Sequence, residues 1–152
     1  MGELAERRDI PTLSAAAAEF GRAVAVEWAT LQIYKLEEAG ALCLSTDAKE
    51  ANRLRRETAG MVFSLYKAWN MGELSLFFAR FLIGEFDEAV RDVQGASKIY
   101  VALKSFACVR ASDLRRLERE RASRDYLERW AEMNEKACSY TDYLKSKENE
   151  TV

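Results

Sequence analysis

The residues that could do chemistry in this chain are carboxylates and arginines, because none of its 152 residues is histidine. Histidine is the usual general base near neutral pH and the commonest zinc ligand. Its absence excludes Ser-His-Asp and Cys-His catalysis, and with them the Glu-x-x-His di-iron pattern of helical bundles. Neither a Gly-x-x-x-x-Gly-Lys-Ser/Thr phosphate loop nor a Gly-x-Gly-x-x-Gly turn occurs. Cys43, Cys108 and Cys138 are odd in number and widely spaced, so they read as free thiols, two of them in helices. An enzyme made from this set would hold a hard cation such as Mg²⁺ between carboxylates. No cofactor is expected.

One carboxylate pattern has that potential. Lys35-Leu36-Glu37-Glu38-Ala39-Gly40-Ala41-Leu42 is followed by Glu57-Thr58-Ala59-Gly60. Acids three apart share a helical face, and two such faces opposed can clamp Mg²⁺ on a polyphosphate. Over about residues 32–76 the segment partly resembles the metal motif of the all-α nucleoside-triphosphate pyrophosphohydrolases, Glu-Glu-x-x-Glu on one helix and Glu-x-x-Asp on the next. The resemblance implies Mg²⁺-dependent hydrolysis and carries over Glu38 and Glu57. Ala41 and Gly60 stand where the second glutamate and the aspartate belong, so half the clamp is missing. A second stretch, Gly84-x-Phe86-x-x-Ala89-x-x-x-Val93-x-x-Ala96, resembles the second half of a tetratricopeptide repeat. Glu50 and Glu118 occupy the positions 34 residues away, so the repeat has no second copy.

Two arginine clusters are the candidates for nucleic acid. The first is Arg53, Arg55 and Arg56. The second runs from Arg110 through Arg115, Arg116, Arg119, Arg121 and Arg124 to Arg129. At 100° per residue the second set spreads around a helix, and acids interleave it four residues apart, as in Arg116–Glu120 and Arg121–Asp125. That is the pattern of a solvated, salt-bridged face. The net charge of −2 and a pI near 5.4 supply no global field for a polyanion, so nucleic acid is an alternative and not the favoured partner.

Long helices must position these groups. Pro11 is the only proline, and no stretch alternates with strand periodicity. Helix one is expected from Pro11–Ser14 to Gly40 or on to Leu44, with Phe20, Val24, Trp28, Leu31 and the Ala39 region on one apolar stripe that Val26 and Ile33 widen, so that it packs on two sides. Asp47 with Glu50 three residues on predicts the start of helix two, which carries Leu54, Thr58, Met61, Val62, Leu65 and Trp69 and ends at Gly72. Leu74 to Ile83 is apolar nearly all round. The helical pattern restarts at Glu85 and runs through Phe86, Val90, Val93, Ala96, Tyr100, Leu103 and Phe106. Ser112-Asp113 either caps a fresh helix or lies inside a continuous one. Beyond it Leu114 and Leu117 continue the stripe, which resumes at Leu127, Trp130, Ala137, Thr141 and Leu144.

These readings predict an all-α protein, an antiparallel bundle of four to five long helices in a single domain over 1–152, with frayed ends at 1–10 and 145–152. The expected function is a non-catalytic helical interaction module, a small subunit or adaptor with a protein partner or a second copy. Leu74, Phe77, Phe78, Phe81 and Leu82 are its candidate contact residues, because a helix apolar on every side needs neighbours all round. The segment Ser112–Arg129 could join them. The charged N-terminus has no signal-peptide character, and no apolar run is long enough to span a bilayer, so a cytoplasmic or nucleocytoplasmic location is expected.

Overall fold

A computed structural model describes the backbone of residues 5–149. The chain is all-helical, with no strand among the described residues. Its helices are α1 (Leu13–Phe20), α2 (Arg22–Glu38), α3 (Ala48–Tyr66), α4 (Met71–Leu82) and α5 (Ser97–Asn149). Two compact units divide the chain, Met1–Leu114 and Arg115–Val152. In the first, α2 packs mainly on α3, and α1 and α4 also lie against α2.

Helix one of the sequence reading is two helices. Gly21 adopts φ 93, a backbone conformation that costs an ordinary residue dearly, and its N–H returns to the Ala17 carbonyl at 3.0 Å. The second half also turns a different face inward. Ala25, Ala29 and Leu36 are buried together with the expected Ile33, whereas Phe20, Val24 and Leu31 are exposed. Small alanines let neighbouring helices approach closely, so the buried stripe is not the bulkiest one. Gly40, at φ 74, stands just past the end of α2, and residues 41–44 form a loop instead of continuing the helix.

Helix α3 starts as expected: the Asp47 carboxylate accepts the Glu50 N–H at 2.7 Å. It ends earlier, at Tyr66, because a fresh helix begins five residues later, at Met71. Asn70 caps α4 with a complete capping box, its side chain accepting the Glu73 N–H at 2.8 Å. Gly72 therefore lies in the first turn of α4, not at a helix C-terminus. Asn70 also tethers the start of the fold. Across an isolated bridge from Thr12, the Met71 N–H donates to the Pro11 carbonyl at 2.9 Å and the Leu13 N–H to the Trp69 carbonyl at 3.2 Å.

After α4 the chain does not restart a helix at Glu85. Residues 83–92 are successive turns, bounded by Gly84 at φ 81 and followed by Gly95 at φ 58. Phe86 and Val90 are nonetheless buried, so the apolar spacing marked burial correctly and the backbone type wrongly. Helix α5 then runs unbroken past Ser112-Asp113. Its helical backbone continues to Asn149; residues 1–4 and 150–152, which belong to the expected frayed ends, lie outside the described residues. So do the side chains of Cys138 and of Ala137, Thr141 and Leu144.

The core of the first unit is aromatic. Phe77 has ring centroids of Phe78, Phe86 and Phe106 at 5.1, 5.5 and 5.5 Å and of Phe81 at 6.0 Å. Edge-on and tilted pairs of this kind add about 0.5–1.5 kcal/mol each beyond the area they bury. Ile99, Leu103 and Phe106, at spacings of four and three, bring the start of α5 onto this cluster.

Candidate functional site

The two carboxylates carried over from the partial metal motif are engaged, Glu57 with a cation and Glu38 with a phenol. Arg53 bridges Glu50 and Glu57 along α3, with N–O distances of 2.5 and 2.6 Å. This contact holds the Glu50 carboxyl below its ordinary range. Glu38 accepts the Tyr34 hydroxyl, and that bond together with the glutamate charge pushes the phenol up. Glu37, beside it, pairs with Arg55 at 2.5 Å, a largely buried link between α2 and α3. Ala41 lies in the loop after α2 and Gly60 inside α3, so no further acid completes the set. Among the described residues no group of three or more acids and cysteines could hold a metal ion.

The arginine trio has the same explanation from the other side. Arg53 is engaged by two glutamates. Arg55 is held by Glu37 and Asn52 and stacks over the Tyr34 ring at 4.9 Å from its centroid. Only Arg56 offers its charge to solvent without such a contact. Of the second set, Arg116 pairs with Glu120 at 3.7 Å, the exposed four-residue spacing read from sequence.

Arg110, grouped with those exposed arginines by sequence, belongs instead to the interior. Its Nε donates to Glu73 Oε1 at 2.5 Å, and a second nitrogen lies 3.5 Å from Oε2. Glu73 is fully buried, and its Oε2 also accepts the Asn70 N–H at 3.1 Å. The guanidinium lies 5.1 Å from the centroid of Trp69, which itself packs on Tyr66 and Phe106. A buried carboxylate needs a cation and hydrogen bonds to be tolerated, and this one has both. Sequence reasoning missed the cluster; the Asn70-x-x-Glu73 spacing was the available signal. Its polar atoms are all engaged, so the cluster joins α4 to α5 and leaves no reactive group exposed.

The expected contact helix is largely core. Leu74, Phe77, Phe78 and Phe81 are between 0 and 5% exposed, and Leu82 alone of the five candidates reaches the surface. An all-round apolar helix needs neighbours on every side, and α5 together with the turn at Phe86 supplies them. Ile83, the next residue, is exposed as well.

Exposed apolar side chains concentrate elsewhere. In the second unit Tyr126, Leu127, Trp130, Met133, Tyr140 and Tyr143 are all more than half exposed. Trp130, at 52%, is the least exposed of them. On a helix, Tyr126, Trp130, Met133 and Tyr140 recur on one side. Cys43 and Cys108 are free and exposed. No helix among the described residues is long and apolar enough to cross a membrane. No family model, no curated protein and no solved structure matches the chain.

Proposed function

We propose that the chain is a non-catalytic protein–protein interaction module that works through the second half of α5. One observation carries the reading: a tryptophan, three tyrosines, a methionine and a leucine stay in water within residues 126–143. Scattered exposed apolar residues are ordinary, but large aromatics grouped on one helix mark a contact surface. The first unit supports this as a stable base, read as an antiparallel helical bundle in which no buried side-chain polar atom among the described residues lacks a hydrogen-bond partner. A reducing compartment, cytoplasmic or nucleocytoplasmic, suits Cys43 and Cys108 as thiols.

A photo-crosslinking residue placed at Trp130 in the native cell tests the reading. The expected result is a discrete protein adduct that a probe at Lys104, an exposed position in the first unit, does not form. Absence of any adduct specific to position 130 would overturn it.

A further inference from the structure

We propose that α5 beyond Leu114 is a device sensitive to ionic strength: two ladders of alternating charge keep it helical in water, and the face it carries exists only while they are paired. This holds whatever meets that face. Every residue from Glu118 to Lys136 is exposed, all the way round the helix. Arg115–Val152 is a compact unit of its own, and among the described residues α5 is the only element in it. Most helices in proteins draw their stability from a packed face, and an isolated helix shorter than about 12–15 residues is marginal in water. Something other than burial must hold this one.

Charge spacing supplies it. Arg116, Glu120, Arg124 and Glu128 alternate in sign at steps of four, and Arg121, Asp125 and Arg129 do the same on the neighbouring strip. The first ladder has three links and the second has two. Arg116–Glu120 is formed at 3.7 Å between exposed side chains. Like-charged pairs at the four-residue spacing, Arg115–Arg119 and Glu128–Glu132, stand only at the two ends of the laddered stretch. Each opposite pair favours the helical state by roughly 1.5- to 2-fold, so five together reach on the order of tenfold.

So modest a bias can decide because the helix is already nucleated. Ile99, Leu103 and Phe106 fix the start of α5 in the aromatic core, and no glycine or proline follows Gly95. The costly first turn is therefore in place, and each further residue adds at close to no net free energy. Helix length then follows any small bias applied along it. Pairs of exposed charges are screened as the Debye length falls from about 20 Å in dilute buffer to about 4 Å at half-molar salt. Salt shortens α5 from its far end toward Leu114, and Tyr126, Trp130 and Met133 lose the common side on which the helix sets them.

Amide hydrogen exchange of the purified full chain, at fixed pH in about 20 mM and about 500 mM sodium chloride, is the test. In dilute salt the amides from Glu118 to Trp130 should be protected. The higher salt should speed their exchange about three- to tenfold, with those from Ile99 to Phe106 unchanged. Glu120→Gln with Asp125→Asn removes four of the five links at little change in helix propensity. That double variant should lose a similar factor in dilute salt and most of its salt dependence. Reversing the first ladder (Arg116→Glu, Glu120→Arg, Arg124→Glu, Glu128→Arg) keeps its links and the composition. It also turns the like-charged crossings at three residues, Arg121–Arg124 and Asp125–Glu128, into opposite ones. Protection should then equal or exceed the parent's. Exchange at the unfolded-chain rate in dilute salt overturns the proposal, as does protection indifferent to salt and to the double variant. Protection that fades on dilution belongs to association and overturns it too. None of these measurements needs a partner, so a missing adduct at Trp130 leaves the ladders standing, and their failure leaves the cross-link standing.

Discussion

Helix α5 carries large apolar residues in both of its halves and treats them oppositely. Ile99, Leu103 and Phe106 vanish into the aromatic cluster around Phe77, while Tyr126, Trp130 and Met133 remain in water. Both sets recur at three and four residues, so periodicity alone cannot distinguish them. The difference lies in what each half meets. The first half has α4 and the Phe86 turn against it, and Arg110 docks on Glu73. Apolar spacing thus says that a face wants a neighbour; only the fold says whether the same chain provides one.

Substitutions that strike the two halves unequally sharpen the contrast. The largest effect is expected at Phe77→Ala, which opens a cavity among four other rings and should cost about 3–5 kcal/mol in chemical denaturation. Trp130→Ala, measured where the chain is monomeric, should stay within about 0.5 kcal/mol of the parent. Comparable losses at the two positions would erase the distinction between them.

Arg110→Met comes next. It strips Glu73 of its cation while keeping the packing on Trp69, and breaking a buried pair in this way costs about 3–5 kcal/mol. Adding Glu73→Gln, whose amide oxygen still reaches the Asn70 N–H, should restore much of that stability. If the double variant is no better than Arg110→Met alone, the ion pair does not explain the stability of the α4–α5 contact in the first unit.

The smallest effect is a pH dependence. Burial, with Tyr100 nearby, pushes the Tyr66 phenol above its ordinary value of 10.0. The unfolded chain therefore ionises first, at about pH 10. Stability from this group is complete below that pH and declines as pH rises through the folded-state value. Tyr66→Phe should shallow the alkaline decline in urea midpoint; an unchanged slope would show that other tyrosines dominate it.

Much of the fold was legible in the sequence. A single proline and helical spacing predicted an all-helical chain, and Asp47 with Glu50 marked the start of α3. The break at Gly21 was not legible, because a helix also tolerates an isolated glycine at modest cost. The turns after Gly84 escaped because Phe86 and Val90 fit a helical period by coincidence of burial. For the site, the direction of error is instructive. Leu74, Phe77, Phe78 and Phe81 were read as a contact surface on hydrophobicity, and their number made them core. Arg110 was read as solvated because its neighbours in sequence are, although its partner lies 37 positions earlier.

The tether between the start of α1 and the start of α4 has a further consequence. Pro11, Leu13, Ser14, Lys67, Trp69 and Met71 join there through main-chain groups, including Ser14 N–H to Lys67 carbonyl at 2.8 Å. Side-chain replacement leaves such bonds in place, and only proline at a donor removes one. Around this seam, a replacement that keeps the apolar packing of Leu13 and Trp69 leaves the fastening itself intact.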